Sequence, residues 1–171
     1  MDFTQKAYWL AMTSEAVEVA TALYEALARR DGEAMAACYF DDGALFSDEV
    51  FVGLRGREIG AMWTMLCSRA HDMVVHYQIT SQANDVVSVA WNATYTFTKT
   101  KRKVHNVIFA TIQVKDGKIV QHIDRFDFWR WSRQALGPAG FLLGWTPFLK
   151  NKVRSEAAAN LKAYIQKKSQ A

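Results

Sequence analysis

The feature that most constrains this chain is the pair Asp116-Gly117, set between two strand-like runs, Val104 to Val114 before it and Ile119 to Phe128 after it. An Asp-Gly pair supplies the left-handed backbone that a tight antiparallel turn needs, so the two runs form a β-hairpin. On a two-residue period Val120, His122, Asp124, Phe126 and Phe128 share one face of the second strand. A carboxylate among such neighbours is buried or lines a cavity. Leaving a buried charge unpartnered costs on the order of several kcal/mol, so Asp124 has to find a donor or shift its ionisation. His122, two residues away on the same face, is one such donor.

The length of the turn decides which residues of the preceding strand join Asp124. A three-residue loop with Gly117 left-handed puts Asn106, Ile108 and Ala110 on its face, whereas a two-residue loop puts His105, Val107 and Phe109 there. The first set is the more apolar and is the one expected beside Asp124. The second would make His105 a catalytic candidate.

Two more strands precede the hairpin, Met73 to Ser81 and Val86 to Thr98. The latter alternates Val87, Val89, Trp91, Ala93, Tyr95 and Phe97 against Ser88, Asn92, Thr94, Thr96 and Thr98. One face of the sheet is therefore covered, and the other is wet or lies in an interface. Helical patterns come first. Thr13 or Ser14 caps a helix with Glu15 and Glu18 in its first turn, Arg29 and Arg30 in its last, and Gly32 as its stop. Asp31 caps a short second helix through Met35 and Tyr39, broken by Asp41-Asp42-Gly43, and an extended segment runs from Ala44 to Val52. From Gly56, residues Ile59, Met62, Trp63 and Leu66 form one stripe of a third helix. Helices followed by an antiparallel meander are an α+β pattern, with the helices on one face of a curved sheet.

A length of 171 residues fits one domain. Residues 1–136 carry the α+β unit, and residues 137–171 form a C-terminal helical extension of the same domain. After a short helix from Trp129 to Leu136, the extension runs through Gly137-Pro138, an apolar run Phe141 to Leu149, and a basic helix from Lys152 to Lys168. Its rings beside Lys150, Lys152 and Arg154 suit a membrane surface or a lid packed over the cavity mouth or a partner subunit; packing is the favoured expectation.

No apolar run reaches the roughly 18 residues of a membrane span. The start, with Asp2, Thr4, Gln5 and Lys6, does not read as a signal peptide, so the expected location is cytoplasmic. Cys38 and Cys67 are expected to be buried and reduced. Residues 1–98 hold 6 Lys/Arg and 13 Asp/Glu, net −7, while residues 99–171 hold 15 and 4, net +11. Such a dipole can steer an anionic partner, though solubility or subunit contact is its commoner use. The basic run Lys99, Lys101, Arg102, Lys103 falls where two long strands must turn and lacks the interleaved aromatics of a nucleic-acid binder, so no nucleic acid is expected. His71, Asp72 and His76 lack a further ligand spaced to complete a metal site, so neither metal nor cofactor is expected.

The start "RRDGEAMAACYFDDGALFSD", the helix "GREIGAMWTML" and above all the end "VKDGKIVQHIDRFD" resemble the SnoaL-like branch of the nuclear-transport-factor-2-like superfamily, over roughly residues 10–136. That group includes ketosteroid isomerase, limonene-epoxide hydrolase and polyketide cyclases. The resemblance implies a cone-shaped curved antiparallel sheet wrapped around helices, a cystatin-like α+β barrel with a deep apolar pocket, in a homodimer paired through the outer sheet face. It also places Asp124 at the position that several relatives use as an acid or base. The hydrolase pattern's Arg and Asp, two residues apart on the middle strand, fall at Trp91 and Ala93, which disfavours epoxide hydrolysis. The isomerase's oxyanion-stabilising acid falls near Ala110, and its general base near Ser47 or Asp48.

The candidate catalytic residues are thus Asp124, His122 and Asp48. Tyr24, Trp63, Trp91, Tyr95, Asn106, Ile108 and Phe126 are the candidates for a wall selecting a flat or bulky apolar ligand. Asp127, facing the other way, is expected to be a surface or interface charge. Because this fold hosts many chemistries, function rests on the site. The first reading is an acid-base enzyme of isomerase, dehydratase or cyclase type acting on an apolar or aromatic molecule. The second is a non-catalytic ligand-binding or protein-binding module on the same scaffold.

Overall fold

The computed structural model describes residues 14–170. Helix α1 (Glu15–Ala28) starts where Ser14 accepts a hydrogen bond from the Val17 amide at 3.3 Å, with Glu15 and Glu18 in its first turn. It ends earlier than the sequence suggests. Arg29 lies outside it, and Arg30 takes the left-handed backbone (φ 57°) that turns the chain. Gly32 is not the stop; it opens α2 (Gly32–Ala37), capped by Asp31. A Cβ at Gly32 would sit 2.4 Å from the Thr64 Cα, so its role is to let α2 lie against α3 (Arg57–Arg69).

The sheet holds β1 (Leu45–Ser47), β2 (Leu54–Arg55), β3 (Val74–Ala83), β4 (Val86–Phe97), β5 (Arg102–Lys115) and β6 (Lys118–Phe126), in the order β2-β1-β6-β5-β4-β3. β1 joins β6 in parallel and every other pairing is antiparallel. The first and last strands are not paired to each other, so the curved sheet stays open rather than closing into the expected barrel. Residues of α1 and α3 form one core with Val87, Val89, Trp91, Ile108, Ala110 and Ile112 on the inner face.

The β5–β6 turn is a two-residue loop, with Asp116 and Gly117 both left-handed (φ 50° and 70°). By itself that would bring His105, Val107 and Phe109 to the Asp124 face. A β-bulge prevents it: Val114 pairs with Ile119 and Gln113 with Gln121, so Val120 is the extra residue and the parity changes there. The favoured set is recovered by a different route, with Ala110 opposite Asp124 and Ile108 opposite Phe126. Ile119, not Val120, takes the buried position below His122. Phe128 is buried, but on a helix and not in the strand.

That helix is α4 (Phe128–Leu136), and Asp127 caps it by accepting from the Arg130 amide at 2.9 Å, a role the expected surface charge did not include. α5 (Pro138–Leu143) follows, then α6 (Pro147–Lys168), which begins ahead of Lys152 because Thr146 caps it and Pro147 opens it. α6 packs on α3 and adds Leu161 to the main core. The large apolar side chains from Phe141 to Phe148 are exposed in the single chain and form no lid over the cavity, while Gly144 and Leu149 are buried. Cys38 is half-buried and Cys67 buried, both as free thiols. No helix among the described residues is long and apolar enough to cross a membrane.

Candidate functional site

Asp124 and His122 are buried on the inner face of β6, at 3% and 1% exposure. The Asp124 Oδ1 receives the Trp91 Nε1–H from β4 at 3.3 Å and lies 3.0 Å from the His122 Nε2. His122 Nδ1 lies 2.6 Å from the Tyr39 hydroxyl, which accepts the Trp63 Nε1–H at 3.0 Å. With the Trp63 proton entering the Tyr39 oxygen, the arrangement that gives every donor an acceptor has the Tyr39 hydroxyl donating to Nδ1 and an Nε2 proton aimed at Asp124. Two N–H groups converging on one carboxylate oxygen complement its ionised form. The other Asp124 oxygen takes no hydrogen bond among the described residues.

The imidazole is caged as well as bonded. Phe46 meets it edge-on at 5.1 Å, while Tyr39 and Trp63 stack on it at 6.1 and 6.3 Å between ring centroids. Burial pushes the Tyr39 phenol well above its ordinary pKa, which keeps the proton it donates in place.

A cavity of about 320 Å³ opens beside this chain of donors. Asp124, Trp63, Trp91, Tyr95, Asn106, Ile108 and Phe126 all line it, as the sequence suggested. Phe51, Phe97 and Trp131 add rings to the wall, and the Tyr95 hydroxyl accepts the Trp131 Nε1–H at 3.0 Å. Val153, Glu156, Ala157 and Asn160 of α6 complete the rim. His122 stands behind Asp124 and does not reach the wall. Tyr24 does not reach it either: it is a core residue stacked on Tyr77 at 5.1 Å, its hydroxyl buried without a partner among the described residues.

Asp48, the third catalytic candidate, also lines the cavity, on the turn between β1 and β2. Its Oδ1 accepts the Val50 and Phe51 amides at 2.6 and 2.5 Å, while its own amide bonds the Phe51 carbonyl at 2.7 Å. Burial pushes its carboxyl up to about 7, with the charges of Asp124 and Glu49 adding to the rise, despite the two amides that favour the ion. The turn is clamped from α6: Lys150 pairs with the Glu49 carboxylate, and Arg154 Nε donates to the Glu49 carbonyl at 3.0 Å.

Other candidates resolve as structural. Asp72 accepts from the Thr96 amide and hydroxyl and from Lys103, and among the described residues no cluster of three or more His, Cys, Asp or Glu is arranged to hold a metal ion. Lys99 pairs with Glu156, Arg102 donates to the Gln134 carbonyl and Lys103 pairs with Asp72, so three of the four cations of the basic run are spent on contacts within the chain. Tyr39 is the residue that sequence reasoning missed. Its partner His122 lies 83 positions away, and its only local signal is a place at the end of a short helix.

Residues 20–122 match the SnoaL-like domain family, so the chain belongs to that family. No curated protein matches it. Among solved structures, an LEH-like epoxide hydrolase from M. tuberculosis aligns with a TM-score of 0.58 at 20% identity, over 77% of this chain and 97% of that one. A hypothetical protein of ketosteroid isomerase-like fold from Catenulispora acidiphila, solved with trimethylamine, aligns at 0.60 and 19%, over 76% and 98%. IdmH from Streptomyces antibioticus, a candidate polyketide cyclase, aligns at 0.57 and 22%, over 71% and 98%. At these identities the likeness establishes the nuclear-transport-factor-2-like fold.

Proposed function

We propose that this SnoaL-like protein is an acid-base enzyme of isomerase, dehydratase or cyclase type, acting on a small apolar or aromatic molecule held in the cavity. The reading is carried by a single observation: a carboxylate that faces an aromatic-walled cavity is fixed by a directed chain of buried donors. Asp124, complemented as the ion, takes a proton from a substrate carbon beside a carbonyl, and the C–H electron pair moves into the carbonyl to give an enolate. Asp48, whose carboxyl holds its proton up to about pH 7, supplies the acid. His122, Tyr39 and Trp63 are positioning residues that hold Asp124 in one orientation. The names of the structural neighbours, an epoxide hydrolase and a candidate polyketide cyclase, accord with pocket chemistry on this fold. Trp91 and Ala93, where the resemblance puts the hydrolase pair, make epoxide opening the less fitting branch.

Deuterium exchange of 2-tetralone, an aromatic ketone with acidic C–H bonds, tests the reading by NMR in heavy water. Exchange above the buffer rate with the wild type, lost in Asp124→Asn at unchanged circular dichroism, is the expected result. Equal exchange in both proteins would remove Asp124 from the chemistry. Tight binding of the ketone by both with no exchange by either would make the protein a non-catalytic carrier instead.

A further inference from the structure

The turn from α5 into α6 is built inside out. Gly140 and Gly144 face inward, where an added Cβ would meet the Ser132 carbonyl oxygen at 1.9 Å and its hydroxyl at 2.0 Å, so the backbone lies directly on α4. The large side chains point the other way. Leu142, Trp145 and Phe148 are 65, 71 and 69% exposed, and Phe141 and Leu143 beside them are exposed as well. The segment is held in place nonetheless: Trp129 Nε1 donates to the Phe141 carbonyl at 3.2 Å, Trp145 Nε1 to the Leu142 carbonyl at 3.0 Å and Thr146 Oγ1 to the Leu143 carbonyl at 2.6 Å. None of the five apolar side chains lines the cavity. So many large apolar groups in one exposed stretch of eight residues mark an interaction surface.

Charge indicates what covers it. From Phe128 to Ser155 the chain carries Arg130, Arg133, Lys150, Lys152 and Arg154 and no carboxylate. Lys150 and Arg154 are committed to Glu49, while Arg130 and Lys152 stand exposed and Arg133 lies over the Trp129 ring at 4.4 Å. The flanking carboxylates are engaged, Asp127 on the Arg130 amide and Glu156 on Lys99. A two-fold contact with a second copy would set these cations against themselves, which disfavours self-pairing. Glu15, the first residue of α1, lies beside Gly117, while Arg102, at the opposite end of β5, packs on Gly137.

We propose that α5 and its turn into α6 are an interfacial anchor for an anionic lipid surface. Phe141, Leu142, Trp145 and Phe148 enter the boundary between headgroups and acyl chains, and Arg130 and Lys152 meet the headgroup charges. Trp and Phe beside cations are the side chains that such a boundary favours. The full-length chain is co-sedimented with phosphatidylcholine vesicles, alone or with about one third phosphatidylserine, at low and moderate salt. The attraction of basic residues grows with anionic lipid and weakens with salt, so phosphatidylserine and low salt should each strengthen binding several-fold. The exposed pair Trp145→Ala and Phe148→Ala, made together, should cost tenfold or more at unchanged circular dichroism. No binding to anionic vesicles at low salt overturns the proposal, as does equal binding by wild type and variant. A fall in the molar mass of the variant in light scattering, without a change in vesicle binding, overturns it in favour of a contact between copies.

Discussion

Tyr39→Phe removes one oxygen and leaves the ring, so it tests whether the buried chain of donors is what holds Asp124. In the wild type that oxygen accepts the Trp63 Nε1–H at 3.0 Å and bonds His122 Nδ1 at 2.6 Å. All three residues are buried, so neither orphaned group is well placed to find water. Each unpaired buried group costs about 1–3 kcal/mol, and partial relaxation puts the total at about 2–4 kcal/mol. For a chain of this length each kcal/mol lowers Tm by about 2–4 °C, so a fall of roughly 5–15 °C is expected. Tyr77→Phe is the control. Its hydroxyl donates to the Glu25 carboxylate at 2.7 Å on the surface, and its loss should cost under about 1 kcal/mol. Urea unfolding followed by circular dichroism measures both. A Tyr39→Phe cost no larger than that of Tyr77→Phe would refute the reasoning. So would nitrogen NMR of the wild type showing Nδ1 of His122 protonated and Nε2 bare.

The Asp48 carboxyl titrates near 7 when folded and near 4 when unfolded, so the folded state binds its proton more tightly. Its stabilising contribution is therefore complete below about pH 4 and disappears as pH rises through 7. Asp48→Asn keeps an acceptor for the Val50 and Phe51 amides and should be more stable than the wild type by about 1–3 kcal/mol at pH 8, with little difference at pH 4 to 5. Urea titrations at the two pH values check this, and a stability difference independent of pH would contradict it. A homodimer paired through the outer sheet face is also expected, where Phe109 is 63% exposed and shares that face with Thr94, Thr96 and Val107. Light scattering should give twice the 19.4 kDa chain mass, and Phe109→Glu should halve it; a monomer mass at every dilution would sink the idea.

Element types were legible in the sequence because their signals are local. The alternation of β4, the Ser14 and Asp31 caps and the Ile59, Met62, Trp63 stripe each need only a few neighbouring residues. The glycines were harder to read, since a break and a close approach call for the same residue. Gly32 serves the second purpose, and the stop falls to Arg30. The lid reading of the arm failed for a related reason: an apolar run ordinarily turns its side chains inward, but here the glycines take the inward face of the turn. Most of the cavity wall followed from β-strand parity. Tyr24 fell outside it because helix position alone does not separate a core ring from a wall ring.

The bulge at Val120 shows how the site depends on one residue that carries no chemistry. A two-residue turn with unbroken pairing would set Asp124 on the same face as His105 and Phe109, which are exposed on the outer side of the sheet. The extra residue reverses parity between Ile119 and His122, so both point inward, and Asp124 follows His122 on the two-residue period. Only then can a donor from β4, Trp91, and one from β6 itself, His122, converge on the same carboxylate oxygen. Asp48 reaches the cavity from a turn whose amides it binds and whose Glu49 is clamped by α6. One carboxylate is thus served by side-chain donors on a rigid sheet, the other by backbone amides in a buried turn. Two N–H groups converge on Asp124 while burial holds the Asp48 carboxyl up to about 7, the pairing of a base and an acid that the proposed reaction uses.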